Sequence, residues 1–500
     1  MVSRTALVAA ALLWSAMQRG PAFAADPDQP FPDWTHYSQP SEIERLKKAV
    51  DDGDHKIVRE HGWRLWAGIM QEEQGGTWPI WFSWRNSDQA FRWEGAEPPK
   101  GVSLIQRSKL NRGQAMLSNG VRTAFPEIDV EATPHYPTPQ PVKDKYPGPT
   151  SKCVTTENPE NMCDGKNFLF NQDIMIPTES ISKEAYDRIR DKKWYLKQTL
   201  DQVHHQKDPE VHDLDMGEKF VVTKHMYWPV KGDGVTIIPV WHDYKGPDYW
   251  YYAGYETWIG FIALDPSNQH SVGSKVTGSY LHGVKEPDGK TDWPVITAQD
   301  VTVHDIGEFY HHKVTLDEWQ NVFDENDRAI IDASSYWANG TAFEPGKDYL
   351  VTVAMHVNTR EIPSWALQSV WWSDKPDEGR YAEDRPNLKT EAKGPWNHYL
   401  LVDAYGIEAF KGKQPVAMNP YIELVIHPVG TNCNTCHMHA GWPKATDKDK
   451  GPDRASYQYM PDPQCADPLA TLKPDSACLS KILRTDFQWF IPDRAVGPDK

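Results

Sequence analysis

No uncharged apolar run in this 500-residue chain approaches the roughly 20 residues needed to span a bilayer, and its mean hydropathy is -0.66. A multi-pass membrane protein is excluded. Positive charge is scarce: 53 Lys and Arg face 70 Asp and Glu, giving a formal charge of -17. An acidic chain is repelled by phosphate backbones, so nucleic acid is not an expected partner. Also missing are a His-Glu-x-x-His helix, a nucleophile elbow, a phosphate loop and a dinucleotide fingerprint, which leaves hydrolase, kinase and nicotinamide chemistry without a motif. There is no internal repeat, and cysteine is limited to 6. Proline, at 40, and tryptophan, at 22, are abundant instead. So many prolines restrict long helices, and so many indoles supply flat apolar surface with N–H groups that need partners. A loop-rich, aromatic-cored chain of two or three units is expected.

The N-terminus carries Arg4, an apolar stretch from Ala6 to Trp14, and the small-residue pattern Ala22, Phe23, Ala24. This suits an export signal cleaved near Ala24, because the apolar part is too short for a membrane anchor and Gln18, Arg19 and Pro21 interrupt it. Removing Arg4 and Arg19 leaves 51 bases against 70 acids. The expected location is the periplasm, with no membrane span in the mature chain. In that oxidising compartment Cys153 with Cys163, and Cys465 with Cys478, are candidate local disulfides, with buried thiols as the alternative.

The third cysteine pair lies in Asn432, Cys433, Asn434, Thr435, Cys436, His437, the Cys-x-x-Cys-His pattern of covalent haem c attachment. With 6 cysteines and 19 histidines in 500 positions, random placement yields it roughly 0.003 times. Two thiols three positions apart can each form a thioether with a haem vinyl group, and the next residue can present imidazole to the iron. The competing chemistries are a redox dithiol and half of a zinc site. A dithiol would open a helix after a strand, whereas Pro428, Gly430, Thr431 and Asn432 make this approach a loop. Zinc would need two more ligands at matched spacing, and His437 and His439 sit too close to Cys436.

Through Cys433, Cys436 and His437 the chain resembles the c-type cytochromes, which use these positions as two thioether sites and the proximal iron ligand. The resemblance implies one covalently attached haem c per chain, with His437 as the metal ligand. It covers five residues directly. Small cytochromes carry the motif near their start, whereas about 430 residues precede it here. Together with Arg360, Glu361, Ile362, Pro363 and Trp365, with Trp371 and Trp372, and with Thr485, Asp486 and Phe487, the chain looks like large single-haem exported bacterial proteins.

The sixth iron position decides what such a haem does, since His with Met favours electron transfer and an open site favours ligand or peroxide chemistry. Met460 stands in a Met-Pro context similar to the family's distal ligand, although only 23 positions beyond His437. His356, following the apolar run Val351, Val353 and Met355, is a second candidate; an open position is the third. Arg360 could pair with a haem propionate or form a salt bridge with Glu361 or Asp374. The leading expectation is single-electron transfer with a periplasmic redox partner. The alternatives are a haem-dependent peroxidase or oxidase with its pocket in the β-rich region, and a haem-based ligand sensor.

Periodicity predicts an α+β chain. Ser41 to Gln74 reads as two short helices broken at Gly53, and Ser182 to about Gln206 as one charged helix. Residues 75 to 175 read as a long connection. Beyond Asp213, strands are expected at Phe220 to Thr223, Val235 to Trp241, Trp258 to Leu264, Val301 to His304, Tyr349 to Val357 and Ala366 to Trp372. Pro229, Pro239, Pro266 and Pro363 favour an antiparallel arrangement. A short apolar helix is expected near Leu479 to Leu483, and Tyr249 to Tyr252 with Tyr255 form an aromatic cluster. The units are a signal peptide (1–24), a helical, loop-rich region (25–212), a β-rich domain (213–418) and a haem-binding segment (419–500).

Overall fold

Gly53 takes the left-handed conformation at φ 71° that ends one helix, and the next residue, Asp54, starts another by accepting from the Ile57 amide. The computed structural model thus has the expected helix pair, α1 (Pro40–Asp52) and α2 (His55–Ile69). It describes residues 39–71, 79–92, 139–146, 174–206, 213–242, 258–282, 295–323, 325–362, 365–388, 394–405, 417, 419–422, 432–438, 440–443 and 482–497. The signal-peptide cleavage region, the Cys153, Cys163, Cys465 and Cys478 pairs, Met460 and the Tyr249 to Tyr255 cluster lie outside the described residues.

The elements continue with α3 (Ser87–Ala90), α4 (Gln140–Lys145), β1 (Ile176–Ile181), α5 (Lys183–Asp191), α6 (Lys197–His204), β2 (Val221–Val230), β3 (Thr236–Val240), β4 (Gly260–Leu264), β5 (Lys275–Tyr280) and β6 (Ile296–His304). Then come β7 (His311–Lys313), α7 (Leu316–Asn321), α8 (Glu325–Asn339), β8 (Tyr349–Thr359), β9 (Ala366–Trp372) and β10 (Tyr399–Tyr405). The C-terminal part holds α9 (Cys433–His437), β11 (Gly441–Trp442), β12 (Leu483–Arg484) and α10 (Phe490–Arg494). The chain is α+β, with helices first and strands in the middle. The single helix expected from Ser182 is two, because Lys193 adopts φ 58° between α5 and α6. Residues 75 to 175 are not wholly connection, since α3 and α4 lie within them. Leu483, expected in a helix, belongs to β12.

The larger sheet runs β1-β2-β8-β9-β10 and is antiparallel throughout, with β7 taking the β9 side of β8 at Tyr349 to Val351. β1 precedes residue 213 and pairs with β2, so one sheet joins the N-terminal and central regions. Pro229 costs it nothing: the β1 pairing ends at Tyr227, so the missing N–H lies past the neighbouring strand. The smaller sheet, β3-β4-β6-β5, departs from the expectation in its parallel β4–β6 pair. Pro239 lies on its edge strand, β3.

Strand β9 is buried along its whole length, which requires cover on both faces of the large sheet. On one face, Trp66 of α2 donates to the Met355 sulfur at 3.2 Å and meets the Tyr310 and Tyr399 rings, while Trp81 stacks on His225 with centroids 3.4 Å apart. Gly62 lets α2 approach closely, since a Cβ there would stand 3.3 Å from Gln368 Cγ. Helix α8 spans the two sheets, touching β2, β3 and β5. The expected aromatic core is present: Trp63, Trp66, Trp228, Trp337, Trp365 and Trp371 are all buried. Each indole removes about 150–250 Å² from water, roughly 4–6 kcal/mol before entropy is counted. Among the described residues no helix is long and apolar enough to cross a membrane.

Candidate functional site

The cysteine motif forms its own turn of helix, α9, of 5 residues. Asn432 precedes it, buried, and its side-chain oxygen accepts from the Asn434 amide at 2.9 Å. The same stretch is pinned by Cys433, whose amide donates to the Ala417 carbonyl at 3.0 Å and whose thiol reaches that oxygen at 3.2 Å. Positions 433, 436 and 437 are three and four residues apart, the spacing that aligns them along one side of a helical turn. Helix α9 packs against β10, the edge strand of the large sheet.

His437 Nδ1 lies 2.6 Å from the Phe487 carbonyl oxygen. A carbonyl only accepts, so Nδ1 carries the proton and Nε2 carries the lone pair of the neutral ring. This is the tautomer and restraint a metal-ligating imidazole needs. Sequence reasoning missed this contact: Phe487 contributes a backbone oxygen, and its side chain gives no sign of it. The residues fit the group the motif implies, with two thiol positions and one oriented imidazole on a single turn. Asn434, between the cysteines, is 0% exposed, and its side-chain amide makes no hydrogen bond among the described residues. Gln488 Nε2 is likewise buried without an acceptor among the described residues.

The segment that supplies the Phe487 carbonyl is tied to the residues that directly follow α9. Gly441 pairs with Arg484 and Trp442 with Leu483, and the Thr485 amide donates to the Ala440 carbonyl at 2.9 Å. Trp442 also donates to Asp201 of α6 at 3.0 Å. Residues Thr485 to Gln488 form a tight turn, closed by the Gln488 amide donating to the Thr485 carbonyl at 3.0 Å. Its centre, Asp486 and Phe487, has φ 48° and 65°.

The structure brings together two segments that the sequence singled out separately. Arg360 Nε donates to Asp486 at 2.9 and 3.1 Å, and Trp365 Nε1 donates to the same carboxylate at 2.9 Å. Arg360 pairs with Asp486 instead of the Glu361 or Asp374 that the sequence suggested, because its guanidinium turns toward the C-terminal segment while Glu361 turns the other way to His61. Glu361 Oε1 lies 2.7 Å from His61 Nε2, and His61 Nδ1 faces Glu42 at 3.4 Å. Burial disfavours the His61 imidazolium, but the hydrogen bonds of Glu361 and then Glu42 outweigh it and hold the ring up at about 9.

His356 does not end its strand: β8 continues through Thr359, and His356 pairs with Lys224 of β2 and Ser369 of β9. Alternation places it on the face opposite Met355 and hence opposite α2. Strand β8 is separated by β9 from β10, where α9 packs. His225, which like His61 is buried, has its pKa pushed well down by burial, and its Nε2 contacts Thr223 Oγ1 at 2.8 Å under the Trp81 ring. Among the described residues no group of three or more His, Cys, Asp or Glu side chains is arranged to hold a metal ion. No family model, no curated protein and no solved structure matches this chain.

Proposed function

We propose that the chain is an exported monohaem c-type protein that passes single electrons to or from a periplasmic redox partner. Cys433 and Cys436 hold one haem c through two thioethers, and His437 ligates its iron. The observation that carries the reading is the His437 Nδ1 to Phe487 carbonyl contact of 2.6 Å, made by a histidine on the same helical turn as both cysteine positions. Bound haem supplies a one-electron couple at iron, tuned by its axial ligands and their hydrogen bonds.

The chain's own part is to hold and orient. Asn432 and Ala417 fix the backbone of α9 where Cys433 begins. The Phe487 carbonyl holds the Nδ1 proton and so keeps the Nε2 lone pair available for ligation. The β11–β12 pair keeps these two segments side by side.

The test is a pyridine haemochrome on acid-extracted protein matured by a competent periplasmic assembly system. The parent should retain its haem through extraction. Cys433→Ala combined with Cys436→Ala should lose it, and retention equal to the parent would end the covalent reading.

A further inference from the structure

We propose that Asp486, gripped by Arg360 and Trp365, is a positioning residue for the His437 imidazole, and that through it the large sheet sets the donor strength of the iron's proximal ligand. The inference rests on the haem reading above and adds to it a control element outside the cysteine motif.

The starting point is a turn that its own residues disfavour. Phe487 is a bulky side chain in the left-handed region at φ 65°, directly after Asp486 at φ 48°. An aspartate tolerates that conformation and a phenylalanine does so poorly, so surrounding contacts must impose it. They converge on the Asp486 carboxylate. One oxygen accepts from Trp365 Nε1 at 2.9 Å, the other from the Met216 amide at 3.0 Å, and Arg360 Nε reaches both. Arg360 is itself braced by Nη1 donating to the Ile362 carbonyl at 3.0 Å. Trp365 is fully buried and packs edge-on against Phe220. These donors come from two segments more than a hundred positions from Asp486, and they fix the orientation of the peptide whose carbonyl His437 needs.

The physical link is the hydrogen bond. Donation from Nδ1 to a well-placed carbonyl makes the imidazole more basic at Nε2, which favours the ferric over the ferrous state. A loosened turn lengthens that bond, weakens the ligand and raises the reduction potential.

Two variants separate this effect from simple electrostatics. Trp365→Phe removes one grip on Asp486 without changing any charge. Arg360→Gln removes a cation, which by charge alone would stabilise the ferric state and lower the potential; loosening of the turn predicts the opposite sign. Redox titration of the haem-loaded protein should show the ferric-to-ferrous ratio at fixed solution potential falling about tenfold in Arg360→Gln, a rise of about 59 mV, and about threefold in Trp365→Phe. The exchange rate of the His437 Nδ1 proton, followed by NMR, should rise in both.

A lowered potential in Arg360→Gln, or unchanged potential and exchange in folded Trp365→Phe, would overturn the proposal. Circular dichroism identifies a variant that fails to fold, and the other variant then carries the test. If the parent itself yields no haemochrome, the haem reading has failed; unaltered Nδ1 proton exchange in the two variants of that colourless protein would separately end the positioning role.

Discussion

Glu361 and His61 face each other across 2.7 Å in the interior, 0% and 2% exposed, while the residue before Glu361 reaches the other way to Asp486. Two adjacent residues at the end of β8 thus tie helix α2 on one side and the C-terminal segment on the other. The Arg-Glu pair that the sequence showed as a dipeptide is a junction between three parts of the chain.

The His61 contact makes stability depend on pH in a defined direction. Its folded-state pKa is raised from 6.5 to about 9, so its contribution is complete below pH 6.5 and is lost as pH rises through about 9. Urea unfolding of the parent should show about 3 kcal/mol less stability at pH 10 than at pH 6.5 from this group. His61→Gln leaves Glu361 buried without its cation, should cost about 3–5 kcal/mol at neutral pH, and should flatten that dependence. An identical pH profile in parent and variant would refute the assignment.

Asp403 gives the opposite lesson. Burial raises its carboxyl to about 6 against the pull of Arg59 and His61, and Oδ2 makes no hydrogen bond among the described residues. The raised acid favours folding below pH 3.8, and that contribution fades as pH climbs through 6. Asp403→Asn should therefore stabilise the protein by about 1–2 kcal/mol at pH 7.5, with the gain vanishing near pH 4. Thermal melts at the two pH values decide it.

On the proposed haem reading, His437→Ala should leave the thioethers intact while changing the iron's ligand field. Haem content by pyridine haemochrome should stay near the parent's, and the ferric visible spectrum should shift. A spectrum identical to the parent's would remove His437 as proximal ligand.

Gly232→Ala tests the fold rather than the site. An added Cβ would overlap the Lys347 carbonyl, which is backbone and cannot give way, and the Gly232 amide donates to buried Asp348 at 2.8 Å. The substitution should cost about 3 kcal/mol or more, read from chemical denaturation. A loss under 1 kcal/mol would mean that this backbone approach is not as close as described.

Much of the fold could be read from local pattern. The α1–α2 pair follows from apolar spacing and one glycine, and β9 covers the very run Ala366 to Trp372 that its β-branched and aromatic residues mark. Strands β1, β5, β7 and β10 and helix α8 were missed. In β10, Tyr399–Tyr405, Asp403 interrupts an otherwise buried strand, and in α8 polar residues such as Asp332, Ser334 and Ser335 are buried, so polarity misled the hydrophobic count. Lys145 and Tyr146 both reach Asp332, a pairing 186 and 187 positions apart that no local window contains.

The sequence by itself determined the cysteine-histidine motif, because the covalent haem attachment proposed for it would demand fixed residue types at fixed short spacing, and it determined the helix and strand character of strongly periodic stretches. Only the tertiary structure decided what holds His437 in place. The holder is a backbone carbonyl, stationed by Asp486 and by Arg360 and Trp365 from a distant strand end. A main-chain oxygen is common to all residues, and its direction is set by turn geometry and long-range hydrogen bonds that no local pattern encodes.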